Sequence, residues 1–197
     1  MSSQSAIDLC NRALVRIGAT RITDFTGGSA ESETAAAEYE PFVIERLTGV
    51  TVNGMPHVWH FAKKIASLGV PTSPAPLDKW AYAYNLPNDL LAIRAARRND
   101  APIVFDRVGN QLLCDEDDGV ILEYTFRQAE AEFPSYFTAA LVEDLASVFA
   151  LALARDDKLS AAFQARASGL WVAAALSDSQ ARTPQTMRAG RLVAARR

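Results

Sequence analysis

With 197 residues, 49% apolar and 22% charged, the chain has the composition of a globular domain, which excludes whole-chain disorder. No run approaches the roughly 20 apolar residues that cross a bilayer, and the start, MSSQSAIDLCNR, lacks the basic-then-apolar order of a secretion leader. Cys10 and Cys114 stand far apart with no CxxC and no Cys–His pairing, so they read as reduced, buried thiols rather than zinc ligands.

Ile7, Cys10, Leu14 and Ile17 recur at helical spacing and predict an amphipathic helix over 5–17, with Ser5 at its start and Gly18 just past its end. A connecting loop follows, with Ile22 and Phe25 tucked back onto the core. A second helix is expected from Ser29 toward Leu47, with Glu31 and Glu33 complementing its dipole and Pro41 kinking or breaking it. The stretch MPHVWHFAKK, 55–64, then reads as a hinge between two textures. Three prolines exclude a regular helix from 69–78. Trp80, Tyr82 and Tyr84 alternate with alanines, the period of a strand with one aromatic face. LPNDLL reads as a turn before a strand near Leu91–Ala95. PIVFDRV, QLLCD and VILEYTF follow, separated by turns at Gly109–Asn110 and Asp118–Gly119, and predict antiparallel hairpins.

Helical spacing returns after Pro134, where Phe137, Leu141, Leu145, Val148, Phe149 and Ala152 define a long helix to about Ala154. RDDK makes a turn. Leu159, Phe163, Leu170, Val172 and Leu176 mark the next helix. The expected fold class is α+β, mainly α: an antiparallel helical bundle from N- and C-terminal helix pairs, with a small antiparallel β subdomain inserted between them. Its divisions are 1–68 and 129–180 for the helical core, 69–128 for the insert and 181–197 for a tail.

The net charge of −3 hides an asymmetry. Arg182, Arg188, Arg191, Arg196 and Arg197 lie in a tail without acids, which leaves a net of −8 on the body. Such a tail either stays solvated or binds an acidic partner, a protein surface or nucleic acid.

Candidate chemistry is sparse. His57 and His60 stand at i and i+3 and pose the question of a metal site, but the third and fourth ligands, such as Asp78 or Glu45, are not fixed nearby. The neighbours Trp59 and Phe61 instead mark a segment entering the core. Gly27, Gly28 and Ser29 open a helix without a P-loop Lys–Ser/Thr, and the acids Asp115–Asp118 miss the calcium-loop spacing. No catalytic set, metal site or cofactor emerges, and a binding or assembly module is expected rather than an enzyme.

Three stretches together resemble a known family. AIDLCNRALVRIGATRITDF carries Leu9, Cys10, Asn11, Ala13, Leu14, Ile17 and Gly18. HVWHFAKKIASL carries His57, Trp59, Phe61 and Ala62, and WAYAYNLPNDLLAI carries Tyr84, Leu86, Pro87, Asp89 and Leu91. Their order and spacing resemble the head-to-tail adaptors of tailed bacteriophages, often called tail tubular protein A. Two departures stand out: Val58 replaces the usual proline before the tryptophan, and residues 49–56 read as a small insertion. The resemblance implies a structural ring of identical subunits, commonly a dodecamer, docked beneath the portal protein at the head–tail interface of the virion after assembly in the host cytoplasm. It would lengthen the channel for viral DNA and seat a tail or nozzle protein, with no membrane involved. The basic tail is expected to dock on the portal. The alternatives are a nucleic-acid-binding module using the arginine tail, or a metal-dependent enzyme using His57 and His60.

Overall fold

The computed structural model describes residues 4–49, 51–52, 55–72 and 79–180. Their helices and antiparallel sheets make a mixed α+β fold. Helix α1, Ala6–Arg16, starts where the sequence places it: Ser5 Oγ accepts from the Asp8 N–H, and the Asp8 carboxylate accepts from the Ser5 N–H. Gly18, at φ +75°, turns the chain just beyond the helix, a conformation that favours glycine. Helix α2, Ala30–Thr48, begins with the same reciprocal cap between Ser29 and Ser32. The expected break at Pro41 is absent. Pro41 and Ala37, whose carbonyl loses its donor, both lie on the exposed face, which leaves that carbonyl open to solvent.

Pro134 caps helix α3, Ser135–Phe149, which runs into a π-helical turn, Ala150–Ala154. Arg155 in the left-handed region and the Asp156 side chain, accepting from the Lys158 and Leu159 N–H groups, then start helix α4, Asp157–Gln180. Tyr136 meets Asp178, Asp144 meets Trp171 and Ser147 meets Ser160, so α3 and α4 run antiparallel. The inner stripe of α4 is Phe163, Ala167, Trp171, Ala174 and Asp178. Leu176, one of the residues that mark this helix in the sequence, lies off the stripe and is 61% exposed.

The segment Ser135–Ala154 is long and apolar enough to cross a membrane, contrary to the sequence reading, with a mean hydropathy of 1.8 over its most apolar window. It is instead the central core element, mostly buried, with two acids that each tie neighbouring helices. Glu143 pairs with Arg16 of α1 and Arg166 of α4, and Asp144 pairs with Arg46 of α2 while accepting from the Trp171 indole N–H. Leu9, Leu14, Val43, Phe137, Leu141, Leu145 and Phe149 fill the core between the helices.

The strands are β1 Thr51–Val52, β2 Met55–Pro56, β3 Lys63–Ser67, β4 Tyr82–Asn85, β5 Leu90–Arg98, β6 Ala101–Pro102, β7 Asp106–Val108, β8 Gln111–Cys114 and β9 Ile121–Phe126. β1 pairs with β2; the order β3-β9-β5-β6 forms a four-stranded sheet and β4-β8-β7 a three-stranded one, all antiparallel. Tyr84, Leu86, Leu112, Leu122 and Tyr124 form their shared second core.

Three expectations change. The sheet starts at Lys63, ahead of the expected boundary at 69, because β3 pairs with β9 across most of the insert. The Gly109–Asn110 turn closes the β7–β8 hairpin as predicted, whereas Asp118–Gly119 joins no hairpin, because β8 and β9 belong to different sheets. The aromatic alternation also splits. Tyr82 and Tyr84 face the second core, while Trp80 precedes the strand and packs with Ala83 and Leu113 on the other side.

Candidate functional site

The hinge segment 57–62 joins α2 and the β1–β2 ladder to the first sheet strand, and it carries both histidines. Trp59 is fully buried at its centre. Its indole N–H donates to the Arg46 carbonyl at 2.8 Å, satisfying a last-turn carbonyl of α2 that the helix leaves open. Its ring lies 5.1 Å from Phe137 and 5.7 Å from Trp171, so one side chain touches α3 and α4 together. Phe61 continues the cluster at 4.9 Å from Phe137. The Trp59 carbonyl accepts from Arg94 Nη2 at 2.6 Å, and Arg94 Nε donates to Thr125 Oγ1 at 2.9 Å, which fastens the hinge to β5 and β9.

Asp178 of α4 is the focus of this junction. It has no exposed surface, and donors surround its carboxylate. His57 Nε2 lies at 3.1 Å, His60 Nδ1 at 2.8 Å and the His60 N–H at 2.9 Å from Oδ2, while the Tyr136 hydroxyl donates to Oδ1 at 2.9 Å. Burial raises the carboxyl pKa, but the hydrogen bonds from His60, Tyr136 and His57 outweigh it and hold the group below the usual aspartate value. An ionised carboxylate only accepts, so both facing ring nitrogens carry protons. The Tyr136 phenol is pushed up by burial and by the Asp178 charge, which keeps it a donor.

Chemically, a carboxylate behind an imidazole orients either a general base or a metal-bound ring. Here both rings turn onto one carboxylate oxygen. Among the described residues no group of three His, Cys, Asp or Glu side chains is placed to hold a metal. Of the ligands weighed from sequence, Glu45 is exposed beside Arg46, and Asp78 lies outside the described residues. The cluster is a clamp that ties the end of α4 to the hinge. Asp178, Tyr136 and Arg94 were missed from sequence. A signal existed for Asp178, which continues the buried stripe of Phe163, Ala167, Trp171 and Ala174 and so had to find a partner.

The residues of the other two family-like stretches make structural contacts. Asn11 Nδ2 donates to the Ile22 carbonyl at 2.8 Å and its Oδ1 accepts the Ile22 N–H at 2.7 Å, pinning the loop after α1. Cys10 is buried, and burial together with the Glu130 charge pushes its thiol up to about 12, so it stays protonated. Tyr84 donates its hydroxyl to the Glu116 carbonyl at 2.7 Å, and Leu86 and Pro87 shape the turn into β5. Asp89 accepts from the Tyr124 hydroxyl at 3.0 Å and from Lys64 at 2.6 Å. Leu91 packs against the helical core. Arg98 gathers Glu116, Asp117 and Asp118, which makes the acidic run a closed turn rather than a cation loop. The expected partner-binding residues Arg182, Arg188, Arg191, Arg196 and Arg197 lie outside the described residues. No protein-family model matches the chain, and neither does any curated protein.

Proposed function

We propose that the chain is a structural head-to-tail adaptor of a tailed phage, assembling as a ring beneath the portal, lengthening the DNA channel and seating a tail or nozzle protein. On this reading α1–α4 form the antiparallel bundle, the sheets its insert, and the basic tail the portal contact. We assign it no catalytic step. The observation that carries the proposal is the set of three family-like boxes in family order, whose polar residues make structural contacts: Asn11 on the Ile22 backbone, Trp59 on the end of α2, and Asp89 on Tyr124.

Co-sedimentation with purified portal rings tests it. The full chain should pellet with the portal, and a chain lacking 182–197 should bind at least about tenfold more weakly, the loss of a multi-arginine contact. Equal binding by both chains would contradict the role of the tail, and no binding by either would contradict the adaptor reading. Tight binding to duplex DNA that falls steeply with salt would favour the nucleic-acid module instead.

A further inference from the structure

The outer side of α1 and the loop after it enclose a groove of about 490 Å³, lined by Asp8, Asn11, Arg12, Val15, Arg16 and Arg21. Val15 is 48% exposed, and Arg12 and Arg21 are exposed beside it. Arg16 is already engaged by Glu143 of α3. The next helix presents the opposite charge. Residues 22–45 hold six acids, Asp24, Glu31, Glu33, Glu38, Glu40 and Glu45, and no Lys or Arg. Glu40 is taken by Arg127 and Glu45 by Arg46, while Glu33 and Glu38 stand exposed on either side of the exposed Ala37 and Pro41.

We propose that the α1 groove of one copy receives the acidic outer face of α2 from a second copy. Guanidinium groups grip carboxylates in a fixed planar geometry, and the short Ala37 and Pro41 side chains let the helix approach Val15. The two surfaces differ, so the contact is heterologous. Each copy uses its groove on one neighbour and its face on the other, the arrangement that generates a closed ring when the rotation permits. This identifies the subunit contact of the ring proposed above and rests on that reading for closure, though not for the contact itself. Exposed charge pairs are individually weak and salt-screened, so the contact forms where local concentration is high, as on a template.

Disulfide trapping tests it in the full chain, whose native Cys10 and Cys114 are buried. One preparation carries Arg12→Cys and the other, marked by a mass tag, Glu38→Cys; the mixture is oxidised with diamide at low salt. The mixed dimer should exceed either homodimer by about tenfold, with the bias collapsing at about 1 M salt, where the Debye length is about 3 Å. Adding Arg21→Glu to the first preparation should remove the bias, and adding Glu33→Lys to the second should restore it. The mixture of random collisions at low salt, or an excess of Arg12→Cys homodimers, would overturn the proposal. A portal-bound ring without the bias removes the contact and leaves the adaptor reading; the bias without a ring does the reverse.

Discussion

Asp178 and the acidic turn Asp115–Asp118 are both held by groups brought from distant parts of the chain, but one is sealed inside and the other lies in solvent. At Asp178, three side chains and a backbone N–H converge on a carboxylate with no exposed surface. At the turn, Arg98 spans Glu116, Asp117 and Asp118, and the last two are well exposed. The chemistry is alike, yet the energies diverge. Removing a buried acceptor strands its donors, whereas water takes over the partners of an exposed pair. The hinge clamp is therefore where substitutions should matter, and the acidic turn where they should not.

The largest effect is expected at the centre of the clamp. Trp59→Ala removes a fully buried ring that touches α3 and α4 and exposes the Arg46 carbonyl, and urea unfolding should show a loss of about 3–5 kcal/mol. His60→Ala on the same segment should cost about 1 kcal/mol, since its ring is partly exposed and Tyr136 and His57 still hold Asp178. A reversal of that order would reopen the reading of the histidines as chemical groups.

Asp178→Asn comes next, on the order of 3 kcal/mol at neutral pH, because an amide cannot accept from four donors. Its pH dependence has a definite sign. The folded-state pKa of Asp178 is depressed, so its stabilisation is present above the unfolded aspartate value of about 3.9 and is lost as pH falls through the lower folded value. The stability gap between wild type and Asp178→Asn should close as pH falls below about 4. A gap that does not change with pH would mean that the carboxylate charge is not what the donors hold.

Asn11→Ala should lose about 2 kcal/mol by releasing both ends of the Ile22 peptide, read as faster amide exchange at Ile22 as well as a lower unfolding midpoint. The smallest change is expected from Arg98→Ala, a slight drop in midpoint that added salt reduces, since salt also screens the acids left facing one another. A loss as large as that of Asp178→Asn would erase the contrast between the two clusters.

Local signals in the sequence mapped well onto the fold. Ser5 and Ser29 set helix starts through side-chain caps, Gly18 marked an exit, and Gly109–Asn110 closed a hairpin, all by interactions within a few residues. A second tight turn, Asn99–Asp100 with both residues at positive φ, joins β5 to β6; its Asn-Asp pair was a readable signal that the sequence reading passed over. Long-range features were hidden. The strand KKIAS has no polar–apolar alternation to announce it, and it becomes a strand only because β9 offers it an edge. The separation of β8 from β9 follows from sheet topology, which a turn motif does not encode. The histidine pair was seen, but its meaning depended on Asp178, far along the chain at the end of the last described helix.

The most direct measurement of the central claim is electron microscopy of the chain mixed with purified portal rings, with the subunits counted in the added density. One closed ring of copies is expected on the tail-facing side of the portal, coaxial with its channel. Bare portals at saturating concentrations of a correctly folded chain would contradict it.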